Sequence, residues 1–260
     1  MVEQHTDVAV LFGILGAMLG SFLNVCIYRL PQNRSIVFPA SACPACGHPI
    51  RWYDNVPVLS WLWLRGHCRD CRARISLRYP LVELAGAALA VVLYLSYGIS
   101  FDLLERFTLL FILLGISVTD AREYIIPDFF SLGGVALGLA FSFLPGGLTP
   151  FQAFLGALIG GGSLYLVALL GELIFRKEAM GGGDVKMLAM VGSFLGWPGV
   201  LFTVFAGSVA GSLVFGTINY VFRRKALVPF GVFLSLGAAA YVFFGPQVIG
   251  WYLSYFTSGR

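Results

Sequence analysis

Charge is scarce in this sequence. Its 260 residues are 12% charged and 58% hydrophobic, against about 25% charged and 45–50% apolar in an ordinary soluble domain. One water-soluble core cannot hide that much apolar surface, so a soluble globular enzyme is excluded. Histidine is scarcer still, with three in the chain and no His-Glu-x-x-His stretch. A zinc metalloprotease of that design is therefore excluded. No glycine-rich Gly-x-Gly-x-x-Gly turn stands between a strand and a helix, so nothing points to a soluble nucleotide fold. No repeat relates the two halves, as it does in many transporters. Basic residues are missing ahead of the first apolar run, where Glu3 and Asp7 stand, and no small-residue cleavage site follows it. That run is expected to remain as an anchor.

What fills the sequence instead is apolar runs of the length that crosses a bilayer. We count eight, at residues 8–28, 81–97, 103–119, 129–144, 151–175, 185–197, 200–222 and 227–244. The expected fold is an all-α polytopic membrane protein. Its parts are a first transmembrane helix in 1–30, a cytoplasmic cysteine module in 31–80 and a polytopic membrane domain in 81–260. Glycine-rich stretches at 156–162 and 207–216 suit close helix packing in lipid. If the chain alternates sides, 15 of its 17 Lys and Arg residues fall on one face, leaving only Arg106 and Arg260 on the other. The positive-inside rule makes the first face cytoplasmic and the N-terminus periplasmic. The net charge of +4 then reflects topology and attraction to anionic lipid. Nucleic acid is not an expected partner.

Four of the five cysteines form two knuckles, Cys43-Pro44-Ala45-Cys46 and Cys68-Arg69-Asp70-Cys71. Two thiolates three residues apart on a tight turn can both point at one ion, and two such turns complete a tetrahedron. The spacing reads as a structural zinc ribbon, with two disulfides as the alternative. Gly47 suits the turn after the first knuckle. His48 and His67 flank the site as loop residues, and Cys26 reads as a packed, inert thiol.

Two carboxylates stand out. Asp184 follows the glycines 181–183 at the mouth of an apolar helix, with Lys186 just beyond, and Asp120 ends another apolar helix. Acids at such places are costly and default to a functional reading. Taken singly, Asp120 could solvate a helix end and Asp184 could cap one. The charge partition places both on the cytoplasmic face, where a pair could run aspartyl hydrolysis. The glycines are expected to lend φ freedom and room for a substrate strand. The helix dipole at Asp184 makes it the expected ionised partner, with Asp120 holding the proton. Asp128 reads as a cap after Pro127. Glu83 is expected to pair with basic loop residues or line a substrate path.

The order of motifs resembles the bacterial type IV prepilin peptidase family. It runs from Gly20-Ser21-Phe22-Leu23-Asn24-Val25 and Tyr28-Arg29-Leu30-Pro31 through the two knuckles. Asp54-Asn55-Val56-Pro57 and the stretch Ser76 to Glu83 follow, and the order ends on 120–128 and 181–186. The resemblance implies a membrane aspartyl endopeptidase of the inner membrane with Asp120 and Asp184 as its catalytic pair. It also implies a second activity, N-methylation of the new amino terminus with S-adenosylmethionine as cofactor. The implied substrates are type IV prepilins and type II secretion pseudopilins, cut after a glycine that closes a basic leader. The region from Asn24 to Glu83, with the zinc module, is the expected cofactor site. Other classes considered are a proton-coupled transporter or assembly subunit, and a peptidase without the methyl-transfer activity.

Overall fold

The structure, a computed structural model, describes residues 2–176, 180–222 and 228–257. The basic triplet Arg223, Arg224 and Lys225, together with Lys177 and Arg260, lies outside the described residues. Helices α1 (Val2–Arg29), α2 (Leu59–Trp63), α3 (Arg78–Tyr97), α4 (Phe101–Glu123), α5 (Asp128–Phe141), α6 (Pro150–Phe175), α7 (Gly182–Phe222) and α8 (Phe230–Thr257) make up the fold. Extended pairing among the described residues is limited to two isolated bridges, Ala42 with Pro49 and His67 with Arg74. The chain forms two compact units, Met1–Phe107 and Thr108–Arg260.

In the first unit α1 and α3 run antiparallel, in contact through small residues. A Cβ on Gly20 would stand 2.8 Å from the Cα of Glu83, and one on Gly16 would strike the carbonyl of Gly86. Further along the same seam the Asn24 amide donates to the Tyr79 carbonyl at 3.0 Å. Backbones approach this closely where dispersion, not the hydrophobic effect, must hold helices together.

In the second unit α6 begins with a capping box. The Thr149 hydroxyl accepts from the Gln152 N–H at 3.3 Å, the Gln152 side chain accepts from the Thr149 N–H at 3.0 Å, and Pro150 fills the first turn. These contacts satisfy helix-end donors that have no partner within the helix.

Four helical stretches are long and apolar enough to cross a membrane: Thr6–Gln32, Arg78–Tyr97, Pro150–Ile174 and Gly182–Ile218. Asp128–Phe141 and Phe230–Gly245 are shorter apolar helices. The expected count of eight separate spans is not reproduced, for two reasons. First, α4 carries Asp102, Glu105 and Arg106 near its start and Asp120, Arg122 and Glu123 at its end. Second, the runs at 185–197 and 200–222 fall in one element, α7, of 41 residues. A straight helix of that length would reach about 60 Å, twice the ~30 Å of a bilayer's hydrocarbon. Instead Gly196 leaves the helical region (φ 67°, ψ −178°) and Pro198 follows. The arm before the break packs on α6, where Gly156 and Gly192 each meet the other's backbone carbonyl. The arm after it packs on α8, where a Cβ on Gly237 would lie 2.6 Å from the Thr203 carbonyl.

Candidate active site

Asp120 lies in the last turn of α4. That helix ends because Tyr124 adopts a left-handed conformation (φ 54°) and returns its N–H to the Asp120 carbonyl at 3.0 Å. The chain then passes through Ile125 and Ile126 to α5. Asp184 lies in the first turn of α7, its N–H bonded to the Gly181 carbonyl at 3.2 Å. Both carboxylates line a single cavity of about 320 Å³, together with Tyr124, the glycines 181–183 and Lys186. The two acids that the sequence placed on one face are thus brought to one site. Asp120 is 6% exposed, and Asp184 is half-buried.

Two glycines at helix starts make this possible. A Cβ on Gly183, in α7, would stand 3.0 Å from Ile126 Cβ. A Cβ on Gly231, in α8, would stand 2.9 Å from Asp120 Oδ2 and 3.0 Å from Ile126 Cδ1. Ile126, itself buried, is therefore fitted against both helix starts. The next residue of α8, Val232, donates its backbone N–H to Asp120 Oδ2 at 3.2 Å and shares it with the Pro229 carbonyl at 3.3 Å. First-turn N–H groups lack helical partners and favour an anion.

Gly231 and Val232 escaped the sequence reading. The signal was Pro229-Phe230-Gly231 opening the last apolar run, a helix start resembling the one at Asp184. Gly231→Ala is expected to shift Asp120 while the fold persists. A misplacement of about 1 Å at a reacting group costs on the order of 10²-fold, so peptide cleavage by the folded variant should fall by that order. Cleavage at the wild-type rate would show that Asp120 needs no such space.

Other site expectations change. None of the glycines 181–183 has positive φ and two of them are already helical, so they do not supply backbone freedom; of the three, only Gly183 has a neighbour, Ile126, that a Cβ would crowd. Asp128 is not a cap. Pro127 occupies the cap position with no side-chain bond, and Asp128 Oδ1 instead accepts from Lys186 Nζ at 2.6 Å, joining α5 to α7 at the cavity rim. Glu83 has no ion pair to a basic loop residue among the described residues; its Oε2 accepts the Val58 N–H at 2.7 Å.

The four knuckle cysteines converge, all sulfurs lying within 4.8 Å of one another. Cys43 Sγ and Cys71 Sγ are 3.8 Å apart, and none of the four is in a disulfide. Tetrahedral ligands at about 2.3 Å from a zinc ion stand ~3.8 Å apart, so the cluster could hold a metal and is consistent with zinc. The knuckles share one backbone design. Cys43 N–H bonds the His48 carbonyl and Cys68 N–H the Ala73 carbonyl, with Gly47 (φ 73°) and Arg72 (φ 59°) at matching left-handed positions. Backbone bonding from Cys46 brings the Cys43 thiol down to about 7, while burial and the neighbouring thiols push Cys46 up, so the four share protons as one cluster. Arg69, inside the second knuckle, grips Asp54 in a bidentate pair at 2.6 and 2.8 Å. That pair holds the Asp54 carboxyl below the usual range.

An all-helical membrane protein with two aspartates facing one cavity and a four-thiol cluster in its first loop is the class defined here. The chain belongs to the type IV leader peptidase family. Residues 107–216 match the model of that family, and residues 14–97 match the bacterial peptidase A24 N-terminal domain. The chain is 36% identical over 260 residues to the prepilin leader peptidase/N-methyltransferase of Pseudomonas putida, covering 90% of each protein. It is 34% identical over 269 residues to the protein so named from Aeromonas salmonicida, covering 93% of this chain and 92% of that one. With that of Myxococcus xanthus it shares 40% identity over 207 residues, 79% of this chain and 62% of the relative. No solved structure matches the chain significantly.

Proposed function

We propose that this chain is a prepilin leader peptidase and N-methyltransferase of the bacterial inner membrane, with Asp120 and Asp184 as its cleavage pair. The observation that carries the reading is that both carboxylates, 64 positions apart in sequence by their numbers, line one cavity at helix ends in a chain of this family. Its substrates are type IV prepilins and pseudopilins. Counting α7 as two arms gives eight crossings, with α1 as the anchor, the zinc module in 31–80 and the peptidase membrane domain in 81–260. The N-terminus is then periplasmic and the aspartates cytoplasmic.

Two carboxyl groups in one site share a proton rather than ionise together. The Val232 N–H stabilises a negative charge on Asp120, whereas Asp184 has no such side-chain bond among those described. This favours Asp120 as the carboxylate that takes a proton from water and Asp184 as the acid that donates to the scissile carbonyl. The order is the reverse of the helix-dipole expectation, because a directed hydrogen bond outweighs a diffuse dipole. Hydrolysis then proceeds through water, without a covalent intermediate. Lys186 and Asp128 support the rim. Cys43, Cys46, Cys68 and Cys71 would hold zinc in a closed four-thiolate site, where its work is structural. When bound, S-adenosylmethionine supplies the methyl group.

The test is incubation of detergent-purified protein with a prepilin, with and without S-adenosylmethionine, followed by mass spectrometry. Cleavage after the leader glycine in both samples and a methylated mature N-terminus only with the cofactor are expected. No cleavage under either condition would refute the peptidase reading. Cleavage without methylation would leave a peptidase alone.

A further inference from the structure

The first compact unit contains a buried polar cluster that hydrolysis does not use. On α3, Glu83 is 7% exposed; on α1, Asn24 is 2% exposed. They share one face of the α1–α3 seam. Gly20 packs against Glu83, and Asn24 bonds Tyr79, one helical turn away on each helix. The Glu83 carboxylate is held by the Val58 N–H at 2.7 Å.

The Val58 contact comes at a conformational cost. Val58 has φ 61° and ψ −50°, and Leu59 N–H closes on the Pro57 carbonyl at 2.6 Å, a γ-turn of the strained hand. A β-branched residue is rarely found there, and such strain gathers at functional positions. One acceptor remains open and one charge unbalanced. Asn24 spends its amide on the Tyr79 carbonyl, which leaves Oδ1 buried with no partner. No ion pair neutralises Glu83 among the described residues, and Arg78 lies over the Tyr79 ring, 4.9 Å from its centre. A buried carboxylate without a counter-charge and a buried amide oxygen without a donor are costly in isolation. They suit a group that brings positive charge and several N–H donors at once.

We infer that Glu83 and Asn24 form a binding subsite for an α-ammonium group. The inference rests on the methyl-transfer part of the proposed function, which involves two such groups: the new amino terminus of the mature pilin and the amino-acid end of S-adenosylmethionine. Glu83 gives the ammonium a charged acceptor, Asn24 Oδ1 a neutral one, and the Val58 contact fixes the carboxylate's orientation.

The test measures binding directly, beside activity. Wild type, Glu83→Gln and Asn24→Ser are titrated with S-adenosylhomocysteine, whose amino-acid end matches the cofactor's. They are also titrated with a peptide of a mature pilin N-terminus, with its amine free or acetylated. Glu83→Gln keeps the acceptor for Val58 and removes only the charge. Charge-assisted hydrogen bonds of this kind are worth roughly 10- to 100-fold in affinity. A loss of that size for S-adenosylhomocysteine assigns the subsite to the cofactor; the same loss for the free-amine peptide, absent for the acetylated one, assigns it to the pilin. Prepilin cleavage at the wild-type rate certifies the fold of each variant, and Asn24→Ser serves should Glu83→Gln fail that check. Unchanged binding of both ligands by a cleavage-competent variant overturns the subsite. Wild-type protein that cleaves without methylating would instead refute the methyl-transfer reading, a separate result that leaves the binding comparison valid.

Discussion

Asp184→Asn is expected to reduce prepilin cleavage by roughly 10²- to 10⁴-fold, the range for a lost acid or base at the reacting centre, and Asp120→Asn to do the same. Each substitution is isosteric and removes one member of a pair that must hold one proton between them. Because the two act as a unit, the double variant should be hardly slower than either single one, since residues of one catalytic unit are strongly non-additive. Asp128→Asn is the control. Asp128 pairs with Lys186 in the open, and exposed ion pairs contribute only about 0–1 kcal/mol, so cleavage should stay within a few-fold of wild type. Initial rates on a synthetic prepilin in detergent decide the matter. Full activity in either catalytic variant would remove that residue from the mechanism.

Stripping metal from the cysteine cluster is the second large effect. Structural zinc binding in small modules is worth about 10–16 kcal/mol, far more than a loop with so few buried apolar residues can supply alone. Chelation, or Cys43→Ser with Cys68→Ser, should open residues 31–80 to limited proteolysis and abolish zinc detected by atomic absorption. The two activities should respond unequally. Val58, whose N–H holds Glu83, belongs to the cysteine module, whereas the proposed cleavage pair, Asp120 and Asp184, lies in Thr108–Arg260. Methyl transfer is therefore expected to fall more than cleavage. Equal loss of both would reduce the cluster to a general support for the fold.

Much of this site was legible because membranes make certain residues conspicuous. An acid beside an apolar run is costly enough to be noticed, and charge asymmetry alone put Asp120 and Asp184 on one face. The knuckles were legible because metal geometry fixes ligand spacing. Glycine at 183 was legible only as a type, since its use, an absent side chain against Ile126, depends on a residue from another helix. Asp128 was misread because capping is a local rule, and its Lys186 partner comes from 58 positions away. The spans at 185–197 and 200–222 were legible as apolar but not as two arms of one element broken at Gly196.

The sequence by itself determined the apolar helical class, the two acids as candidates for one site and the four-thiol cluster, because hydropathy, charge and ligand spacing are properties of short segments. Only the tertiary structure decided that Gly231 and Val232 of the last helix complete the Asp120 site, and that Glu83 and Asn24 share a buried seam without a counter-charge. Those facts depend on which helix starts and faces meet. Close packing through glycine settles that, and a glycine's neighbour across a helix seam leaves no mark on the residues beside it in the chain.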